Sequence, residues 1–213
     1  MGNFYASTLV RLRPADPPAP SLALVAGVAV EEGVKTHLSG GRAALDPGSR
    51  FVSRSEERRA IPAQGRGKEV LQLKWPNDLL LDRAKLAGIL LERAEDAVVV
   101  GIGVNLAQHP QLPDRLATSL AAHGVDVAPE VLLETVAESF ARWLSRWRGE
   151  GLAAIRAAWL ERAHPVGSAL SARLPDGGAV AGLFGGLDAD GALILLLAGG
   201  ERRVIHAGDV FLL

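Results

Sequence analysis

Cysteine is absent from the 213 residues, which excludes disulfides, zinc ribbons and thiol nucleophiles together and fits a reducing compartment. Long apolar runs are missing as well. The longest, Leu22 to Val30, falls far short of the roughly 20 residues that span a bilayer. No basic stretch followed by an apolar one opens the chain, so the sequence predicts no signal peptide, no membrane partner and a cytoplasmic protein. Nor is there an excess of charge of one sign: 23 Lys and Arg face 24 Asp and Glu, for a net charge of -1. No global field then recruits nucleic acid, and any charged ligand must be met by a local site. Aromatics make up only 5%, yet 48% of the residues are hydrophobic. That is a globular composition long enough to bury a core, and it excludes disorder, collagen and coiled coil.

Along the chain, residues 3–12 read as a strand, rich in aromatic, β-branched and small side chains. Ser21 is the expected N-cap of a helix reaching about Lys35, apolar through Val30 and therefore buried. Residues 39–68 change texture. Seven basic and three acidic residues lie between Arg42 and Lys68 among Gly, Pro and Ser, the composition of a mobile surface insertion. Val70 to Trp75, Leu79 to Leu81 and Lys85 to Leu91 predict a hairpin-like unit turning at Asp82 to Ala84. Ala97 to Val104 reads as a buried strand.

From Pro129 on, Leu132, Val136, Phe140, Trp143 and Trp147 recur at helical spacing, and a second helix follows Gly151 to close at His164-Pro165. At that spacing the tryptophans are better read as core than as purine-stacking platforms. Beyond residue 167 the period shortens. Turn compositions at Pro175 to Gly178, Asp188 to Gly191 and Gly199-Gly200 separate about five small strands, and a small barrel is the economical way to remove their edges. The five histidines show no metal-ligand spacing. Gly101-Ile102-Gly103 lacks the third glycine and the helix of a dinucleotide fingerprint.

Lys74-Trp75-Pro76-Asn77-Asp78, then Lys85-Leu86-Ala87-Gly88-Ile89-Leu90, then Gly101-Ile102-Gly103-Val104-Asn105 resemble, in that order and spacing, the catalytic core of biotin protein ligases. Gly2-Asn3-Phe4-Tyr5-Ala6-Ser7 is similar to that family's strand beside the biotin pocket. Ile205 to Leu213 is similar to the end of its C-terminal barrel. The resemblance implies an α/β (α+β) fold: a class II synthetase-like catalytic domain over residues 1–166, with a mixed β-sheet and helices, then an SH3-like barrel over 167–213.

The implied function is ATP-dependent biotin protein ligation, in which biotinyl-AMP forms and biotin passes to a lysine of a biotin carboxyl carrier domain such as that of acetyl-CoA carboxylase. The implied substrates are biotin and the complex of ATP with Mg2+. Lys85 and Asp78 would be catalytic, with Asp78 also a candidate Mg ligand. Lys74, Asn77, Gly88, Asn105, Asn3 and Tyr5 would bind substrate. A homodimer is left open, and no DNA-binding domain is expected. A lipoate-type ligase is disfavoured by the Lys-Trp-Pro-Asn-Asp run. The family's Ser-Thr-Asn segment and Gly/Arg-rich loop precede the GNFYAS-like strand, and this chain begins after both. The alternative expectation is therefore a non-catalytic remnant or partner-binding domain of the same fold.

Read from the residues alone, Pro76 pushes Trp75 to an extended conformation and presents Asn77 and Asp78 at a strand end, where Asx-turn work is the bland reading. Lys85 opens a strand on which Ala87 and Ile89 are expected to share its face, and by itself would be a solvated edge lysine. Gly88 would admit a flat ligand to the backbone or simply serve sheet packing. Gln64 to Lys68 has the flavour of a displaced Gly/Arg loop, although a solvated charge run is the better reading.

Overall fold

A computed structural model describes residues 2–40, 69–111, 113 and 115–213. The Arg-rich insertion expected over 39–68, with Gln64 to Lys68, lies outside the described residues from 41 onward. Ten strands and three helices are described: β1 (Phe4–Arg11), α1 (Leu22–Gly40), β2 (Leu71–Lys74), β3 (Asp78–Leu81), β4 (Ala84–Ala94), β5 (Ala97–Val104), α2 (Pro129–Glu150), α3 (Leu152–Arg162), β6 (Ala169–Arg173), β7 (Ala179–Leu187), β8 (Leu193–Leu196), β9 (Arg202–Ile205) and β10 (Asp209–Leu212). The first five strands form one sheet in the order β1-β5-β4-β3-β2, and the last five a second in the order β10-β6-β7-β8-β9. Every ladder is antiparallel. Among the described residues, parallel pairing is confined to two isolated bridges, Leu73 with Ala163 and Lys85 with Ala117.

Strand alternation sorts the first sheet into two faces. Val98, Val100, Ile102 and Val104 of β5 and Ala87 and Ile89 of β4 are buried in the main core together with α1. The opposite face carries Tyr5, Ser7, Gly88, Leu90, Gly101 and Gly103, whose small members leave room above the sheet.

Helix α1 is apolar nearly all round because it is enclosed. It packs against β2 to β5 on one side and against α2 and α3 on the other. Trp143, Trp147 and Trp159 are buried, as their helical spacing predicts, and Trp75, in the turn after β2, is buried as well. Ser21 departs from its expected role. It sits in a 3-10 turn before α1, and its hydroxyl donates to the Pro18 carbonyl and accepts the Trp147 indole N–H at 2.8 Å instead of capping the helix.

A polar knot ties the three helices together. Arg162 of α3 meets Glu31 at 3.0 Å and Glu32 at 2.9 Å, both on α1. From α2, Ser139 and Trp143 donate to Glu32 at 2.7 and 2.9 Å. Burial works to raise the Glu32 pKa, but the hydrogen bonds from Ser139, Trp143 and Arg142 and the charge of Arg162 outweigh it and hold the carboxyl below its ordinary range.

In the C-terminal sheet the expected turns carry Asx chemistry. Asp176 accepts the Gly178 N–H at 2.8 Å, and Asp188 accepts those of Asp190 and Ala192 at 2.9 and 2.8 Å. Leu170, Ala172, Phe184, Leu193 and Val210 of this sheet join the same buried cluster as the first sheet and its helices.

Candidate active site

The Lys-Trp-Pro-Asn-Asp run is a hairpin. β2 ends at Lys74, residues 75–77 turn, and Asp78 opens β3 directly opposite Lys74. That pairing places the Asp78 carboxylate, 4% exposed, 3.0 Å from the Lys74 ammonium. Its other oxygen is in direct contact with the ammonium of Lys85.

Lys85 reaches this position because the ladder slips. Asp78 pairs with Gly88 and Leu79 with Ala87, whereas Leu80 pairs with Lys85, which leaves an extra residue in β4. A bulge re-aims the side chain before it. Lys85 consequently leaves the buried face of Ala87 and Ile89, where simple alternation puts it, and lies beside Gly88 on the open face.

The amide residues are committed to the framework. The side-chain N–H of Asn77 donates to the Ile89 carbonyl at 2.7 Å while Ile89 N–H returns to the Asn77 carbonyl at 2.9 Å. The Asn105 amide donates to the Thr118 carbonyl at 3.0 Å and fixes the segment that runs beside the start of β4. The side-chain oxygen of Asn3 accepts the backbone N–H groups of Leu106, Ala107 and Gln108 at 3.1, 3.2 and 3.2 Å, so it builds the turn after β5. Tyr5, by contrast, is exposed, and its ring covers Gly103.

Two clefts open around Lys85. One, about 390 Å³, has Tyr5, Ser7, Gly88, Gly101 and Gly103 as its floor and Asn77 at its rim. The other, about 410 Å³, lies between the first sheet and β10 and is lined by Lys74, Asp78, Arg83, Arg115 and Phe211. Among the described residues, Lys85 is common to both linings. The second cleft is cationic: Lys74, Arg83, Lys85 and Arg115 line it together with Asp78, and Lys74, Arg115 and, outside the lining, Arg173 stand 5.9, 5.8 and 5.2 Å from the centre of the Phe211 ring.

Arg83, Arg115 and Phe211 escaped the sequence reading because tertiary packing gathers them from three segments. A divalent ion at Asp78 does not fit this arrangement, since both carboxylate oxygens already face ammonium groups. No cluster of three His, Cys, Asp or Glu side chains able to hold a metal occurs among the described residues.

An open glycine-floored sheet face, a lysine held by a buried carboxylate and a cationic cleft thus lie side by side. Models of the biotin/lipoate A/B protein ligase family match residues 8–106 and 58–161, and the biotin protein ligase C terminal domain matches residues 167–213. The chain belongs to the biotin protein ligase family. A biotin–acetyl-CoA-carboxylase ligase of Paracoccus denitrificans is 44% identical over 154 residues, which cover 66% of this chain and 62% of that one. One of Mycobacterium tuberculosis is 40% identical over 141 residues, covering 65% and 52%. The chain therefore spans less than two thirds of the length of either relative. In fold it resembles a biotin protein ligase from Aquifex aeolicus in complex with biotin and ATP, with a TM-score of 0.75 at 21% identity, covering 100% of this chain and 79% of that one.

Proposed function

We propose that this chain is an ATP-dependent biotin protein ligase acting in the cytoplasm. The single observation that carries the reading is Lys85, anchored by Asp78 and lining both clefts. Biotin lies over the glycine floor and the triphosphate runs into the cationic cleft, with Mg2+ entering as part of the nucleotide substrate. A carboxylate oxygen of biotin attacks the α-phosphorus, the bond to the bridging oxygen breaks, and pyrophosphate leaves with that electron pair. The Lys85 ammonium offsets the repulsion between the two anions and the charge that grows at phosphorus. In the second half, the neutral amine of a carrier-domain lysine attacks the acyl carbon, the bond from that carbon to the phosphate oxygen breaks, AMP leaves with the electron pair, and the nitrogen gives up a proton to water as the amide forms.

Asp78 holds Lys85 in place in this scheme. Asn77 stands at the rim of the glycine-floored cleft with its side-chain N–H on the Ile89 carbonyl, which leaves its side-chain oxygen for the nucleotide; we assign Asn105 the same role from the turn after β5, while Gly88 and Tyr5 shape the biotin site. We assign residues 1–166 to the ligand-binding body and 167–213 to a module that completes the phosphate cleft. Pyrophosphate exchange into ATP should require biotin, and a carrier domain incubated with chain, ATP and biotin should become streptavidin-reactive. Exchange supported by lipoate and not by biotin, or none with either, defeats the reading.

A further inference from the structure

Lys74 stands among the residues expected at the substrate, and its surroundings assign it different work. Its side chain is 10% exposed. Its ammonium donates to the Val210 carbonyl of β10 at 2.8 Å and meets the Asp78 carboxylate at 3.0 Å. Two elements 136 residues apart in sequence are thus joined on one nitrogen.

Asp78 passes the constraint on, because its second oxygen holds Lys85. Charge follows the same route. Two ammonium groups share one carboxylate, so the trio carries a surplus positive charge. That surplus is presented by Lys85, 30% exposed, not by the buried Lys74. Without Lys74, Asp78 would be left to Lys85 alone, the pair would close into a neutral unit, and the Val210 carbonyl would lose a buried donor.

We propose that Lys74 is a positioning residue, a strut through which the seating of β10 sets the Asp78–Lys85 pair and keeps a cation available to the cleft. The activity arm of its test rests on the ligase reading; two further arms do not.

In Lys74→Met, kcat for biotin-dependent pyrophosphate exchange should fall by at least about 30-fold while KM for biotin and ATP stays within about threefold, the signature of a group that acts through another. Lys74→Arg should recover much of kcat. Backbone amides of residues 210–212 should exchange hydrogen faster in Lys74→Met. Labelling of Lys85 by an amine-acylating reagent should slow several-fold, because its ammonium then faces the carboxylate unshared. A purely structural lysine would alter the β10 amides and leave Lys85 labelling as it was, which would overturn the proposal. A raised KM with unchanged kcat would overturn it too, by making Lys74 a substrate contact.

A wild-type chain without any exchange sinks the ligase reading, while labelling and hydrogen exchange still decide the strut. Should Lys74→Met fail to fold, Asp78→Asn answers instead. Loosened β10 amides, with no residue of β10 altered, support the strut, and unchanged ones overturn it.

Discussion

The Cβ atom that Gly88 lacks would lie 3.3 Å from both Cε and Nζ of Lys85, and 3.8 Å from the Asp78 carboxylate. Glycine here keeps space for a neighbouring side chain, beyond whatever it allows a ligand. Gly88→Ala should therefore push the ammonium out of register with Asp78 and cut pyrophosphate exchange by about tenfold or more. Stability should change little, the backbone entropy that alanine saves in a strand offsetting the weakened contact between Lys85 and Asp78. Exchange rates and thermal midpoints on the two proteins decide the matter, and undiminished activity would remove Lys85 from its central place.

Lys85→Ala should lower adenylation by more than about 100-fold, the scale of losing one oriented electrostatic group. It should also lower the melting temperature modestly, because the buried Asp78 then keeps one partner in place of two. Arg203, exposed on β9, is the control, and Arg203→Ala should change neither quantity.

His164, at the end of α3, is 2% exposed and its ring lies 4.5 Å from that of Phe184. Burial above all depresses its pKa from 6.5 to about 4; the Leu73 backbone works against that, and the charge of Lys74 adds a smaller depression. The unfolded chain then binds the extra proton first as pH falls. Stability due to neutral His164 is fully present above about pH 6.5 and is lost toward pH 4, by on the order of 3 kcal/mol. His164→Phe should flatten denaturant-measured stability across that window, and an unchanged slope would place the titration elsewhere.

Removing Arg162 tests the helix knot. Glu31 has a side chain only 3% exposed and would be left with the peripheral Lys35 at 3.2 Å. Arg162→Met should cost about 3 kcal/mol in urea unfolding, the scale of stranding a buried charge. The double variant with Glu31→Gln should recover part of that loss.

The sequence exposed the helices and the site motifs to different depths. Pro129 and the recurrence of Leu132, Val136, Phe140, Trp143 and Trp147 define α2 without reference to anything else, because one helix face repeats every three to four residues whatever it packs against. The turns of the C-terminal sheet were equally legible, since Asx and Gly chemistry is local. Lys85 was legible as a residue and misplaced as a direction. Period-two alternation assigns it to the face of Ala87 and Ile89, and the bulge that overrides this is a property of the β3–β4 pairing.

By itself, then, the chain's sequence determined the element types and the turn positions, because each depends on neighbours within a few residues. Tertiary structure alone decided that Lys74 turns inward to Val210, that Asn3 caps a turn beginning at Leu106, and that Phe211 stands among Lys74, Arg115 and Arg173. Those relations join residues roughly 40 to 140 positions apart, where no local propensity or periodicity acts. A buried ammonium or amide takes whichever acceptor the packed core brings within reach, and that acceptor is fixed only when the two sheets close on one another.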